Sequence, residues 1–256
     1  MEKIKLLSLV VPAYKQEKTI VKDIIALDKA LSVFSFRHEI IVVVDGFVDK
    51  TYEILLSHKS EVRSLKVLGY EKNKGKGFAI KLGVEKAKGD IIGFIDAGMD
   101  LDPSEISIML DIMDWNKADI VVGSKLHPES KVNYPFARKI LSWGYRTLTH
   151  LLFGFKVKDT QVGLKFFKKK VAKDVFSKII VKKFAFDIEV LAVAYKLGYK
   201  KIYEAPIKLD FRGASTITST SLWKTIFSML WDTAAVFYRL KITRFYDKKQ
   251  VRKVES

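Results

Sequence analysis

The 256-residue chain contains no cysteine. That excludes disulfides, thiolate nucleophiles and cysteine-ligated metals together, and it fits a reducing compartment. No uncharged apolar run reaches the roughly 18 to 20 residues that a spanning helix needs, so the chain is not expected to cross a bilayer. No secretory leader is expected either. The apolar start of MEKIKLLSLVVPAY runs directly into Pro12 and the polar KQEK, and it reads as a first buried strand. There are no repeats, no low-complexity tracts and no obvious linker. Acid is in short supply: 29 Asp and Glu stand against 46 Lys and Arg, a formal charge of +17. Such a field favours a polyanionic partner (nucleic acid, an anionic bilayer or a phosphorylated substrate) unless it is only a lysine-rich solvated surface.

What is present suffices for a sizeable core: 48% of residues are hydrophobic and 12% aromatic. The first half alternates short apolar runs with helical periodicity. Strands are predicted at 6–12, 38–46, 64–70, 90–98 and 118–124, with helices at 19–34, 49–59, 75–89 and 103–116 between them. This rhythm predicts an α/β fold with a mostly parallel central sheet flanked by helices. In the second half, 136–155 reads as a helix with Phe136, Ile140, Gly144, Thr147, Leu151 and Phe155 on one stripe. A strand and a basic helix follow over 162–176, then a helix and two short strands over 184–211, an aromatic-rich helix over 221–240, and a basic tail.

Ligands of such sheets bind beyond the carboxyl ends of the strands. Asp45 and Gly46 close the second strand, and Asp96, Ala97 and Gly98 close the fourth. Carboxylates there accept from ribose or base groups or bind a cation. Asn73-Lys74-Gly75-Lys76-Gly77 opens a helix, placing lysines beside free N–H groups that suit phosphate. Each piece alone is also an ordinary turn; their order and spacing together are what carry weight.

Together the blocks VVPAYKQEKTI, VVVDGFVDKT, NKGKGFAIKLG and FIDAGMDLDP resemble the signature of family 2 glycosyltransferases with the GT-A fold. GSK (123–125), DTQVGLKFF (159–167), FAFDIEVLAVAYKLGYKKIYEAPI (184–207) and FRGASTI (211–217) resemble the subgroup of dolichyl-phosphate glucosyltransferases and mannosyltransferases. The resemblance implies an inverting transfer of a hexose from UDP-glucose or GDP-mannose to a polyprenyl phosphate. It implies that Pro12, Ala13, Tyr14 and Glu17 cradle the base and ribose, that Asp45 contacts the base, and that Asp96 and Ala97 begin the DxD motif, which holds Mg²⁺ or Mn²⁺ against the diphosphate. It sets Lys125 and Arg138 at the acceptor phosphate, Gln161 and Gly163 in the acceptor loop, Asp187 and Glu189 beside the reacting sugar, and Arg212 and Ser215 in a loop over the nucleotide.

An ionised phosphate acceptor needs a cationic clamp more than a strong base, and the leaving diphosphate needs positive charge. Three departures bear on this. Gly98 stands where the second acid of DxD belongs, so Asp96 and Asp100 are expected to share the metal. Asp100 and Asp102 equally suit a helix cap ahead of Pro103. Val44 replaces an aspartate common in relatives, and Thr216 a lysine.

The final helix sets Leu222, Ile226, Met229, Leu230, Thr233, Phe237 and Leu240 on a stripe flanked by Trp223, Trp231 and Tyr238, with a basic tail behind. That pattern suits either an interfacial helix or one packed on the sheet. The division expected is a transferase domain over 1–220 and a membrane-associating helix with basic tail over 221–256. The chain would then sit peripherally on the cytoplasmic face of an anionic membrane, alone or beside a membrane-protein partner. Nucleic acid is not an expected partner. Two other readings stand: a family 2 transferase acting on a glycan or other hydroxyl, with Asp187 as general base, and a degenerate, non-catalytic scaffold.

Overall fold

The structure, a computed structural model, describes residues 4–98, 102, 104–132, 136–181, 185–209 and 219–247, with backbone alone at 136–143 and 219–226. The element order is β1 (Leu6–Ala13), α1 (Ile20–Leu31), β2 (Arg37–Asp45), α2 (Thr51–Ser57), β3 (Leu65–Tyr70), α3 (Lys76–Lys86), β4 (Ile91–Ile95), α4 (Glu105–Trp115), β5 (Ile120–Ser124), β6 (Lys131–Val132), α5 (Phe136–Phe153), β7 (Leu164–Lys168), α6 (Lys169–Phe176), α7 (Phe186–Lys196), β8 (Ile202–Pro206), β9 (Lys208–Leu209) and α8 (Ser219–Phe237). A π-helical turn, Tyr238–Ile242, continues α8.

Seven strands form one sheet in the order β3-β2-β1-β4-β7-β5-β8, and β6 pairs with β9 apart from it. The neighbours β3, β2, β1 and β4 run parallel, as do β5 and β8; β7 is antiparallel to both β4 and β5. Continuous apolar runs such as Ile40–Val44 are buried throughout because helices cover both faces. One face packs Val10, Ile41, Val43 and Phe94 under α3, α6 and α7. The other packs Leu9, Val11, Val42 and Val44 under α1, α2 and α4.

The reversed strand is what builds the site. Because β7 runs against β4, its first residues arrive at the carboxyl rim, where Leu164 pairs with Ile95. The predicted strand over 90–98 is correspondingly short: pairing ends at Ile95, and Asp96–Gly98 turn away.

Of the stripe read over 136–155, Phe155 lies beyond the end of α5 and is buried, whereas the members within the helix whose side chains are described face outward. Gly144, Thr147 and Leu151 are exposed, while Tyr145, Thr149 and Phe153 are buried. On α8 the stripe faces inward. Thr233 and Leu240 are buried, and Met229 and Phe237 pack against the core. Phe227, Trp231, Tyr238 and Ile242 point to solvent instead.

Candidate active site

Asp45 ends β2 and is 4% exposed. Its carboxylate accepts from Tyr70 Oη (2.9 Å), Asn73 Nδ2 (2.9 Å), the Lys74 N–H (2.7 Å) and the Gly75 N–H (3.0 Å). These bonds set the entrance of α3, whose first residue is Lys76. Gly46, at φ +94°, lies so close to Asn73 that a β-carbon on it would sit 2.9 Å from that backbone nitrogen. Val44, one residue before, is 1% exposed and belongs to the core, where an aspartate would be an unpaired buried charge.

Pro12 and Ala13 end β1, level with Val43 and Val44. The loop beyond them is tied to the one after β2. Thr51 Oγ1 accepts the Gln16 N–H (3.0 Å), Asp49 Oδ2 the Glu17 N–H (3.2 Å), and Glu17 Oε2 the Lys50 N–H (3.1 Å). Tyr14 is exposed, with Lys15 Nζ 5.4 Å from its ring centroid.

The centre is a chain of alternating charges. Lys76 Nζ lies 2.6 Å from Asp96 Oδ1 and 2.8 Å from Oδ2, and only the second contact has hydrogen-bond geometry. Protein crowds Lys76, yet 35% of its side-chain surface stays open. Burial works against its charge; attraction from Asp96 and then Asp187 outweighs that and leaves its pKa above the ordinary lysine value. Asp187, in the first turn of α7, is ion-paired with Lys165 of β7 at 2.5 Å. Lys165 is fully buried, and burial pulls its pKa down despite Asp187. Gly163 abuts this chain: its carbonyl accepts the Asp96 N–H at 3.0 Å.

A second cluster flanks the first. Lys125, just past β5, pairs with Asp159: Nζ and backbone N–H each lie 2.9 Å from Oδ2. The other Asp159 oxygen accepts the Gln161 N–H at 3.2 Å, and Gln161 Nε2 reaches Met229 Sδ of α8 at 3.2 Å. Tyr145 of α5 bonds Thr233 of α8 at 2.6 Å; burial, with Asp187 adding to it, pushes its pKa up to about 12.

The rim therefore holds two ion pairs, Lys76–Asp96 and Lys165–Asp187, with Asp187 acting on Lys76 through charge alone, and the bonded loops of Asp45 and Gln161 border them. Glu189 does not join them. It is 0% exposed, accepting from the Ile180 (3.0 Å) and Val181 (2.7 Å) N–H groups and from Tyr246 Oη. Two residues along a helix is a rotation of about 200°, so the acid after Asp187 points elsewhere. The side chain of Arg138, and Asp100, Arg212, Ser215 and Thr216, lie outside the described residues.

Three residues were not singled out from the sequence. Lys165 was signalled by a charge inside the apolar strand LKFFK. Asp159 leads the DTQ block. Asp23, a core-facing acid on α1 that is 3% exposed, accepts the Gly98 N–H at 2.9 Å and shapes the altered DxD turn. Gly98 has φ +104° and open space where a β-carbon would be. Among the described residues no three acids or histidines converge as a metal cage. Asp96 Oδ1 is nevertheless a buried oxygen that makes no hydrogen bond, its one cationic neighbour among the described contacts being the Lys76 ammonium at 2.6 Å. That fits a Mg²⁺-type ion, which one or two carboxylates hold together with substrate phosphates and water.

The profile of "Glycosyl transferase family 2" matches residues 8–176. The chain belongs to that family. It is 31% identical over 255 residues to a dolichyl-phosphate beta-glucosyltransferase of Trichomonas vaginalis, covering 95% of this chain and 77% of that protein. It is 33% identical over 208 residues to the human dolichyl-phosphate beta-glucosyltransferase, covering 74% and 63%. Its fold is similar to mannosyl-3-phosphoglycerate synthase of Rubrobacter xylanophilus (TM-score 0.70, 16% identity, 97% of this chain and 77% of that one). It is also similar to the Mycobacterium tuberculosis glucosyl-3-phosphoglycerate synthase solved with Mn²⁺, UDP and product (0.63, 18%, 90% and 80%). The protein is a glycosyltransferase with the GT-A fold expected from its sequence.

Proposed function

We propose that this transferase moves glucose from UDP-glucose onto the phosphate of a dolichyl-type polyprenyl phosphate at a membrane surface. The observation that carries the reading is the pair of ion pairs Lys76–Asp96 and Lys165–Asp187 at the sheet's carboxyl rim, within a chain whose relatives along nearly its whole length are dolichyl-phosphate beta-glucosyltransferases.

Pro12, Ala13, Tyr14, Glu17 and the Asp45–Gly46 turn take the nucleoside, and Lys76 faces the diphosphate. Asp96, with Asp100 as a second ligand, would hold a divalent cation, which would supply positive charge at the leaving group; the phosphoglycerate synthase of similar fold was solved with UDP and Mn²⁺. Asp187 orients the sugar. Lys125 and Arg138 draw the acceptor phosphate to the face of the anomeric carbon opposite UDP, beside Gln161. A phosphate oxygen forms the new bond to that carbon as the bond to the diphosphate breaks. UDP leaves, and the configuration inverts to the β-linked lipid phosphate. No proton need be removed, because the acceptor is already ionised. Arg212 and Ser215 belong to the loop over the nucleotide.

A hydroxyl acceptor would need Asp187 as base, and one of its oxygens is already committed to Lys165; this favours the phosphate. The enzyme is peripheral, on the cytoplasmic face of an anionic membrane, with 221–256 as the attaching segment and a membrane-protein partner as the other means of attachment. Among the described residues no helix is long and apolar enough to cross a membrane. The solvent-facing Phe227, Trp231, Tyr238 and Ile242, next to exposed Lys241 and Arg244, are what support contact with it.

The test pairs UDP-glucose or GDP-mannose with a short polyprenyl phosphate, the matching polyprenol and a glycan, each with Mg²⁺ or Mn²⁺. Acid-labile glucosyl lipid from UDP-glucose and the phosphate alone is the expected product. Transfer only to hydroxyl acceptors would sink the reading.

A further inference from the structure

We propose that Lys165 is the positioning residue of this site: its buried ammonium fixes both Asp187 and the Val162–Gly163 turn that backs Asp96. The inference rests on the role given above to Asp187 in orienting the donor sugar.

Lys165 lies mid-sheet, level with Phe94 of β4 and Val122 of β5, and is followed by the fully buried Phe166 and Phe167. Its Nζ donates to Asp187 Oδ1 at 2.5 Å and to the Val162 carbonyl at 2.6 Å, with the Phe94 ring centroid at 5.4 Å. Burying an ammonium and a carboxylate costs several kcal/mol per ion, and replacing such a pair by apolar groups of the same volume is often neutral or stabilising. Packing alone would be met by apolar side chains at both Lys165 and Asp187, so the ion pair is not a demand of the core.

The two bonds converge on the reacting centre. One locks the carboxylate at the start of α7. The other pins the carbonyl before Gly163, and Gly163 in turn accepts the Asp96 N–H and packs against its carboxylate. Asp187 also acts electrostatically on Lys76, the partner of Asp96. A single side chain thus sets the separation of the two acids across which the sugar and diphosphate must lie. Such registry is worth most where misplacement by about 1 Å costs two orders of magnitude in rate.

The experiment compares Kd for UDP and for UDP-glucose in wild type, Lys165→Met and Asp187→Asn, with melting curves to establish folding. Expected in both variants is a loss for UDP-glucose about tenfold larger than the loss for UDP, because only the sugar meets Asp187. A purely structural lysine would weaken both ligands together or neither. If Lys165→Met strands the Asp187 carboxylate and does not fold, Lys165→Gln takes its place: its shorter amide does not span both the Val162 carbonyl and the Asp187 carboxylate, so the same loss is expected. A folded Lys165 variant that keeps the wild-type ratio of the two Kd values, while Asp187→Asn changes it, overturns the inference and leaves the proposed function standing. If Asp187→Asn itself keeps that ratio, the role of Asp187 fails, and the assignment of Lys165 falls with it. No acceptor enters the assay, so the outcome is independent of which acceptor the enzyme uses.

Discussion

A β-carbon added to Gly163 would lie 1.9 Å from Oδ2 of Asp96. The first acid of the altered DxD motif is thus packed against bare backbone of the reversed strand. Gly163→Ala must push that carboxylate aside or shift the start of β7, which also holds the Asp96 N–H. With about 1 Å of displacement at the metal- and phosphate-binding acid, turnover should fall by about 100-fold or more, and the melting temperature should drop. A folded Gly163→Ala enzyme with wild-type turnover would contradict the close approach.

Gly98 poses the reverse case. Nothing crowds a β-carbon there, but φ is +104° and Asp23 holds the N–H. Restoring the second acid by Gly98→Asp should cost about 1–3 kcal/mol of backbone strain, read as a lower melting temperature. It should not tighten the Mn²⁺ dependence of UDP binding, because the turn is built for glycine. Tighter metal binding at unchanged stability would show that the turn adapts.

How far these relationships were legible depends on their range along the chain. Strand runs and Asp-Gly or Gly-Lys-Gly turns are local, so Asp45, Lys76 and Asp96 stood out at the correct rim. The antiparallel sense of β7 depends on a long connection through α5, which no periodicity records; the contact of Gly163 with Asp96 followed from it and was invisible. Glu189 was grouped with Asp187 because a motif is read as a line, whereas a helix distributes its residues around an axis. The stripe on α8 left two readings open for a related reason. The helix is apolar on two faces, and spacing alone does not say which one meets the protein.

Glu189 offers a test in pH. Burial raises its pKa above the ordinary 4.5, against the pull of Tyr246, the Val181 and Ile180 N–H groups and Arg239. The unfolded chain therefore gives up this proton at lower pH than the folded one. The contribution of Glu189 to stability is whole below 4.5, declines as pH rises toward the folded value, and is level above it. Glutamine does not titrate. The melting temperature of Glu189→Gln relative to wild type should thus climb as the pH rises above 4.5. A difference that stays flat with pH would mean the buried acid is not destabilised by its charge.

The two faces of α8 can be separated by substitution. Met229 touches Gln161, and Thr233 bonds Tyr145, so the inner face supports the acceptor loop. Phe227 and Trp231 are 71% and 69% exposed, one turn apart on the outer face, with Lys241 and Arg244 beyond them. Burying two such aromatics in the acyl boundary is worth about 3–6 kcal/mol in area terms. Even a fraction of that should make Phe227→Ser/Trp231→Ser lose flotation with phosphatidylserine-containing vesicles by about tenfold, while the fold melts as before. Met229→Ala should float like wild type but bind a short polyprenyl phosphate more weakly. If both variants float equally with wild type, the bilayer contact lies elsewhere; if the outer-face variant alone changes oligomeric state, a second copy of the chain covers that face instead.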